Sequence, residues 1–329
     1  MIDKFGRKID YLRISVTENC NLKCIYCIDE NNILNSCNND ILTDDEIVKI
    51  ATECARLGIK KIRITGGEPL VRKNIESLIY KLKCINGIEE IYITTNGVLL
   101  HTKIEDLKKN GLTGVNISLD SLNKDRFKKL TKFDKLQDVL LSIDKALELG
   151  LKVKINTVIV DDINKDEIID FVNLTKDKNL DIRFIELMPI GAAKNYKGTS
   201  NEEINQIINK NFKNIKVENK SKRSGPAKYI RIDNYKGKIG FISPISSCFC
   251  EDCNRIRLTS TGFLKKCLHY NHGVDLKKHI RSNISDKDLN ELINNNKIGK
   301  IKNAASIIQH KIITVLEIIF FLCITSPPP

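Results

Sequence analysis

Three cysteines lie close together in one short stretch near the N-terminus, "ENCNLKCIYC". They are Cys20, Cys24 and Cys27, and three and then two residues separate them. This spacing lets one loop wrap around a metal centre with three thiolates, which suit zinc and iron–sulfur clusters alike. A closed zinc site takes four ligands, and this loop contains no histidine. A four-iron cluster on three cysteines would instead leave one iron open to bind another molecule.

A second cysteine set lies near the other end of the chain, in "CFCEDCNRIRLTSTGFLKKC". Cys250 and Cys253 are separated by two residues, and thirteen more precede Cys267. One interpretation is a zinc ribbon that takes Cys248 or His269 as its fourth ligand. The other is a second cluster with an open iron, facing whatever the first site acts on.

Cysteine usage and charge narrow the class of protein. The N-terminus has no long apolar core after its basic residues, so we expect no secretory signal and a cytoplasmic, reducing location. Eleven cysteines in that setting indicate metal or redox chemistry rather than disulfides.

The net charge of +13 predicts anionic partners such as phosphate-rich molecules, unless lysines only solvate the surface. The last apolar stretch is about a dozen residues, short of the roughly 20 that span a bilayer, which leaves an interfacial anchor or a buried helix open, and no membrane partner is expected.

The elements that must position these residues alternate regularly over the first two thirds of the chain. Short β-branched runs end in polar or glycine-rich turns, and amphipathic helical patterns follow. One such helix is predicted after Thr43, which makes a capping box with Glu46, and it stops at Gly58. Repeated β–helix units predict parallel strands with right-handed crossovers. The predicted strands are YLRISVT from Tyr11, KKIRITG from Lys60, IYITTN from Ile91, GVNISLD from Gly114, VKINTVIV from Val153 and DIRFIEL from Asp181.

The predicted fold class is therefore α/β: an incomplete TIM-type barrel of about six βα units with a small β-rich C-terminal extension. We expect the partial barrel in residues 1–190 and the extension, with the second cysteine set, in residues 191–275. We expect residues 276–329 to form a helical, atypical tail. The loops after the strands carry the cysteine triplet, "TGGEPL", "TTNG", "SLDS" and "ELMPIG". We expect them to meet at one rim of the barrel, together with Lys154 and Asn156 of the fifth strand.

The motifs together resemble a known superfamily. CxxxCxxC after the first strand, Tyr26 before the last cysteine and "GGEP" after the second strand resemble the radical S-adenosylmethionine superfamily. The second cysteine set, with "FIELMPIG", "SGPAKY" and "GFISPIS", closely resembles the GTP 3′,8-cyclase family of molybdenum cofactor biosynthesis. The resemblance runs from about Asp10 to His269.

This resemblance implies two [4Fe–4S] clusters, S-adenosylmethionine and GTP. The first cluster would bind Cys20, Cys24 and Cys27, and the second Cys250, Cys253 and Cys267. The residues implied for S-adenosylmethionine are Tyr26, Gly67, Ser118 and Met188. Those implied for GTP are Arg13, Arg63, Thr94, Lys154, Arg255, Ile256 and Arg257. Arginines suit a triphosphate because guanidinium groups make bidentate contacts. The resemblance assigns no catalytic side chain.

The implied reaction is a radical cyclisation. A 5′-deoxyadenosyl radical takes hydrogen from C3′ of GTP, C3′ attacks C8 of guanine, and reduction gives (8S)-3′,8-cyclo-7,8-dihydroguanosine 5′-triphosphate. The partners implied are a reductant protein of flavodoxin or ferredoxin type and a cyclic pyranopterin monophosphate synthase that acts on the product. No nucleic-acid or membrane partner is expected, and a homodimer is left open.

The end of the sequence departs from the family. The family's tail ends in a Gly-Gly pair that reaches the active site, whereas this chain ends in "FFLCITSPPP". We therefore expect clusters and S-adenosylmethionine cleavage with weak or absent cyclisation, unless the end reflects a frameshift in the gene.

Three rival interpretations make different predictions. A peptide-modifying radical S-adenosylmethionine maturase would carry a longer C-terminal cysteine array. A zinc-binding nucleic-acid module would hold zinc and bind DNA or RNA in a salt-sensitive way, but no basic stripe with interleaved aromatics occurs and the chain has no tryptophan. An electron carrier with two clusters would not need "GGEP" or the arginine set.

Overall fold

All six strands predicted from the sequence are present, and they are adjacent in one sheet. The computed structural model describes residues 1–3, 6–27, 40–219, 225–247, 253–267 and 273–296. Cys248, Cys250, His269 and the tail after residue 296 lie outside these ranges. The six strands pair in parallel and in chain order. They are β1 (Tyr11–Ser15), β2 (Lys61–Thr65), β3 (Glu90–Thr95), β4 (Gly114–Ser118), β5 (Lys152–Thr157) and β6 (Leu180–Ile185).

The later strands extend this sheet at both edges instead of forming a sheet of their own. They are β7 (Ile215–Glu218), β8 (Lys228–Ile232), β9 (Ile239–Ile242), β10 (Arg255–Leu258), β11 (Phe263–Lys265) and β12 (Gly273–Asp275). The strand order is β12-β11-β10-β1-β2-β3-β4-β5-β6-β9-β8-β7. Because β10 and β9 pair in parallel with β1 and β6, the parallel run is longer than the six units predicted. The partial barrel with antiparallel C-terminal strands is confirmed, while the division into domains stays a prediction.

Helices cover the outer face of the sheet. Their bounds are α1 (Asp44–Arg56), α2 (Ile75–Lys83), α3 (Leu100–Lys109), α4 (Lys124–Thr131), α5 (Leu136–Glu148), α6 (Asp161–Asn164), α7 (Ile168–Asp177), α8 (Asn201–Asn211), α9 (Leu276–Arg281) and α10 (Asp286–Asn296). The capping box of Thr43 and Glu46 is present at α1, and Gly58 adopts φ 95°. Helix α10 packs back on α1, where Asn290 donates to the carboxylate of Glu53 at 3.0 Å. No helix in these ranges is long and apolar enough to cross a membrane.

Each barrel strand separates an apolar face from a polar one. In β1, Leu12 and Ile14 are fully buried against the helices, whereas Tyr11 and Arg13 alternate with them and face the interior. Parallel strands that are covered by helices on both faces are usually apolar throughout. The strict alternation here therefore indicates that the inner face lines a polar chamber.

The two cysteine sets lie at opposite ends of this chamber. The loop with Cys20, Cys24 and Cys27 follows the carboxyl end of β1. Cys253 precedes β10, and Cys267 follows the antiparallel β11, so both lie at the amino ends of the parallel strands. Strand β1, which runs between the two ends, is about 13 Å long at roughly 3.3 Å per residue. Lys154 lies near the amino end of β5 on the inner face, where it pairs with Asp181. The expectation that the unusual residues converge on one rim is therefore wrong for Lys154.

Candidate functional site

Backbone hydrogen bonds hold the first cysteine loop against α4. The amides of Lys23 and Ile25 donate to the carbonyls of Thr131 and Leu130 at 3.1 and 3.0 Å. At the front of the loop, the Cys20 sulfur accepts from the Leu22 amide at 3.4 Å. The local geometry thus fixes the backbone on both sides of Cys24.

The three thiols of this loop perturb one another. Burial raises the pKa of Cys24, and the neighbouring Asp120, Cys27 and Cys20 raise it further. Burial also raises the pKa of Cys27 and of Cys20. Thiolates this close repel one another unless a cation lies between them. The donor set therefore fits a soft, positively charged iron–sulfur centre. Within the described ranges, no three His, Cys, Asp or Glu side chains are placed as a single-ion metal site.

The "GGEP" turn packs directly against the start of the cysteine loop. A Cβ on Gly67 would lie 2.4 Å from the Asn19 carbonyl oxygen, and one on Gly66 would lie 2.6 Å from that of Thr17. The Gly67 amide donates to the Thr17 carbonyl at 2.9 Å. The two glycines are thus needed because a side chain would prevent this contact between two backbones. The contact fixes the position of the cysteine loop relative to the turn.

Glu68 is part of the same scaffold. Its carboxylate is fully buried and accepts from the Thr95 hydroxyl, the Leu70 amide and the Asn96 amide at 2.7 to 3.0 Å. The side-chain amide of Asn96 in turn points at the Cys20 sulfur at 3.8 Å. Glu68 therefore joins the loops that follow β1, β2 and β3.

Tyr26 is held by the carboxylate of Asp120, which follows the carboxyl end of β4. Its hydroxyl donates to Asp120, and the other Asp120 oxygen accepts from the Val158 amide at 2.7 Å. Burial raises the pKa of Asp120 to about 6, although both hydrogen bonds lower it. Ser118 is exposed at the end of β4, and Met188 is half-buried after β6. These residues line the same end of the chamber as the cysteine loop.

Arginines crowd the other half of the chamber. Arg13 of β1 is flanked in register by Arg63 of β2 and Arg257 of β10. Burial lowers the pKa of Arg13 to about 9, and the charge of Arg257 contributes. Arg255 stacks over the Tyr11 ring at 5.6 Å, as does Arg63. Burial alone raises the pKa of Tyr11, but these cations outweigh it and lower the pKa.

Many buried polar atoms on this inner face have no hydrogen-bond partner in the described part of the chain. Such atoms are costly when buried, so they indicate a place that a polar ligand fills. For four arginines, the orphaned atom is Nε, which is suited to an anion. Among the described residues, the inner-face atoms without a hydrogen bond are Nε of Arg13, Arg63, Arg183 and Arg255, Oγ1 of Thr94, both side-chain polar atoms of Asn116, and Oδ1 of Asn156.

Two residues predicted to bind the nucleotide are placed differently. Lys154 already pairs with Asp181 at 2.6 Å and contacts the Tyr229 hydroxyl at 3.3 Å. Ile256 faces away from the chamber, because its side chain is buried in the core opposite Arg255 and Arg257. Its side chain therefore contributes packing rather than ligand contacts.

The second cysteine set borders the arginines. Burial and the charge of Arg255 lower the pKa of Arg257, while Cys253 and Cys267 act in the opposite direction. Both thiols therefore lie near the Arg257 guanidinium. Cys250 is outside the described residues, so its predicted role as a ligand stays a prediction.

Sequence reasoning assigned no binding or positioning role to Arg183, Asp120 or Asn116. Asp120 lies in the "SLDS" loop, and Arg183 and Asn116 lie in predicted strands. The period-two alternation of "DIRFIE" and "GVNISLD" was the available signal, because it places a charged or amide side chain opposite the apolar face of the sheet.

Two protein-family models match the chain. One, described as Radical SAM superfamily, matches residues 14–175, and one described as Molybdenum Cofactor Synthesis C matches residues 180–305. A GTP 3′,8-cyclase of Clostridium perfringens (strain 13) is 54% identical over 295 residues, which are 89% of this chain and 91% of that protein. A GTP 3′,8-cyclase of Clostridium botulinum (strain Okra) is 49% identical over 283 residues, 86% of this chain and 88% of the relative.

Solved structures of lower identity share the fold. Streptococcus suis SuiB bound to S-adenosylmethionine has a TM-score of 0.61 at 17% identity. The match covers 82% of this chain and 64% of SuiB. At this identity the likeness shows the fold alone.

Proposed function

Because the chain belongs to the GTP 3′,8-cyclase family of the radical S-adenosylmethionine superfamily, we propose that its chamber binds S-adenosylmethionine at one end and GTP at the other. The activity is the radical cyclisation of GTP, the first step of molybdenum cofactor biosynthesis. The chain itself holds S-adenosylmethionine near the first cysteine set and GTP near the second.

The single observation that carries the nucleotide site is the group of arginines with orphaned Nε atoms. A triphosphate brings several negative charges and many acceptor oxygens, which satisfy both the charge and the hydrogen-bonding capacity of Arg13, Arg63, Arg183 and Arg255. Lys154 enters this set if the phosphate displaces Asp181. Thr94 and Asn116 share one register row with Lys154 and are suited to ribose hydroxyls.

At the other end, Cys20, Cys24 and Cys27 would hold a four-iron cluster with S-adenosylmethionine next to it. When bound, this pair supplies a 5′-deoxyadenosyl radical. Gly67, Ser118 and Met188 would line the cosubstrate. Tyr26, held by Asp120, fixes the shape of the cosubstrate's pocket.

The second cysteine set would hold another cluster. Cys253 and Cys267, with Cys250 as the third thiolate, would place it beside Arg255 and Arg257, next to the guanine of GTP. The arginines then fix the distance between ribose C3′ and the S-adenosylmethionine end. Enclosure by the strands excludes water and other hydrogen donors.

The test is anaerobic reconstitution followed by reduction in the presence of S-adenosylmethionine and GTP. We expect about eight iron atoms per chain, two clusters of four, together with 5′-deoxyadenosine and the cyclised nucleotide. Zinc, or iron for a single cluster, would overturn the proposal. Deoxyadenosine without the nucleotide product would retain the first site and reject cyclisation by this chain.

The remaining partners are also proposals. The reaction requires electrons, so a flavodoxin or ferredoxin would supply them, and a cyclic pyranopterin monophosphate synthase would consume the product. A cytoplasmic location follows from the need for reduced thiols. A homodimer stays open, and size-exclusion chromatography with light scattering decides it.

A further inference from the structure

Four exposed lysines beside the first cysteine loop have no ion-pair partner in the part of the chain that the structure describes. Lys23 belongs to the loop itself, and Lys128, Lys129 and Lys132 belong to the last turn of α4 and its cap. We call these four lysines the α4 patch. Nearby cations are neutralised: Lys124 pairs with Asp134 and Lys135 with Asp138, each at 3.2 Å.

Backbone hydrogen bonds connect the α4 patch to the cysteine loop. The Lys23 and Ile25 amides, on either side of Cys24, donate to the carbonyls of the last turn of α4. Lys132 follows in a left-handed conformation with φ 68° and donates back to the Lys128 carbonyl. The patch therefore lies one residue from a proposed cluster ligand, and Cys20 and Cys27 are exposed on this loop.

An apolar contact point and a groove adjoin the charges. The side chain of Phe133 follows Lys132 and is 38% exposed, unusual for a phenylalanine. A groove of about 310 Å³ is lined by Ile25 and Tyr196 together with Lys129 and Lys132 of the patch. Asp162 and Lys197 also line it, and Lys197 is neutralised by Asp161 at 2.7 Å. Aromatic side chains are enriched at protein interfaces, and charged side chains occur at the polar rim of an interface.

We propose that the α4 patch is the docking surface for an acidic one-electron carrier protein of flavodoxin or ferredoxin type. The proposal rests on the proposed function, since reductive cleavage of the S-adenosylmethionine C–S bond takes up one electron and releases methionine. The carrier supplies that electron and is oxidised by one electron. Tunnelling rates fall exponentially with distance, so the carrier must dock beside the cysteine loop. Complementary charge steers it there.

The experiment compares two triple charge reversals in the reconstituted holoenzyme. The test variant is K128E/K129E/K132E, which leaves the cysteine loop itself unchanged. The control, K109E/K210E/K213E, makes the same charge change on exposed lysines at the helix ends away from the cysteine loop. The rate of 5′-deoxyadenosine formation is measured at low salt with a photoreduced flavodoxin, and separately with reduced methyl viologen.

We expect the test variant to lose about tenfold or more of the flavodoxin-driven rate, within the range of electrostatic steering. The control variant should stay within about twofold of the wild type. The viologen-driven rate should be unchanged in both variants, because this small cation needs no docking surface. The flavodoxin-driven rate of the wild type should fall with salt, and that of the test variant should not.

Equal flavodoxin-driven rates in the test variant and the wild type would overturn the proposal. So would salt-sensitive DNA binding that is lost in the test variant while its flavodoxin-driven rate is unchanged, which would reassign the patch to nucleic acid. Failure of the proposed function has a different signature, namely no deoxyadenosine or nucleotide product from the wild type with viologen.

Discussion

The buried guanidinium of Arg183 forms no salt bridge with a carboxylate among the described residues, and a cation buried in this way destabilises the ligand-free protein. Burial lowers its pKa, and Arg63 adds to the effect by like-charge repulsion. The residue is only 8% exposed, and its Nε has no partner among the described residues. A bound anion would compensate the buried charge. Replacing Arg183 with an apolar residue should therefore raise the stability of the ligand-free protein and weaken the binding of the anion.

For Arg183→Met we therefore expect a higher melting temperature without GTP and a GTP affinity about 10- to 100-fold weaker. A charged hydrogen bond of roughly 1.5–3 kcal/mol corresponds to that range. Thermal unfolding and equilibrium dialysis measure the two effects. The control is Arg231→Met, since Arg231 pairs with Glu218 at 3.0 Å. Unchanged GTP affinity in Arg183→Met would remove Arg183 from the nucleotide site.

Asp120 gives a prediction about pH. Its pKa in the folded protein is about 6, above the ordinary 3.8, because burial disfavours its charged form. The folded state therefore favours the protonated acid, and the stability that this acid contributes decreases as the pH rises from about 4 to about 6. Above that window the contribution stays constant.

Asp120→Asn removes this titration. In urea unfolding of the cluster-free, reduced protein, we expect the wild type to lose stability relative to Asp120→Asn between pH 4.5 and pH 6.5, and no further between pH 6.5 and 7.5. Asp125→Asn, at an exposed position of α4, serves as the control and should show no such trend. A wild type that gains stability relative to Asp120→Asn over this window would contradict the assignment.

At the level of elements, the close contact between the "GGEP" turn and the cysteine loop determines where the first site lies. The contact joins backbone to backbone, so no side chain can rotate away to make room. Glu68 then ties the turn to β3 through Thr95 and Asn96. Neighbouring strands thus set the position of the loop, while the cysteines act only as ligands.

Gly67→Ala should destabilise the protein by about 1–3 kcal/mol, the usual range for overpacking. It should also lower the iron content of the first site. The Cβ would lie 2.4 Å from the Asn19 oxygen, whereas a Cβ on Gly225 would meet no atom of the described residues within 4 Å, so Gly225→Ala is the matched control. Urea unfolding and iron analysis measure both effects. Wild-type stability and iron in Gly67→Ala would show that the contact is dispensable.

At the scale of the whole molecule, the two cysteine sets lie at opposite ends of one barrel and should assemble independently. We expect Cys253→Ala/Cys267→Ala to keep about four irons and basal S-adenosylmethionine cleavage, without a cyclised nucleotide. Cys20→Ala/Cys24→Ala/Cys27→Ala should keep about four irons and GTP binding and lose all cleavage. Cys84→Ser, at an exposed free cysteine, is the control. Loss of all iron in either multiple variant would contradict independent assembly.

Much of the fold and part of the site could be predicted from the sequence. The ligand spacing of Cys20, Cys24 and Cys27, the cap at Thr43 and the six strands depend on neighbours within a few residues, so local patterns reveal them. The same patterns place Arg13 on a strand beside apolar residues. They do not show what Arg13 meets across the chamber.

Only the tertiary structure decided which distant residues share the site. Tyr11 lies opposite Arg255 because β10 pairs with β1 across more than two thirds of the chain, and no local pattern determines that register. The antiparallel turn into β11 places Cys267 at the amino ends of the strands, far from Cys24. Strand pairing is a competition among all edges of the sheet, and burial of the apolar faces settles it collectively. The local sequence thus determined the ligands and elements, and the pairing of strands determined the chamber between them.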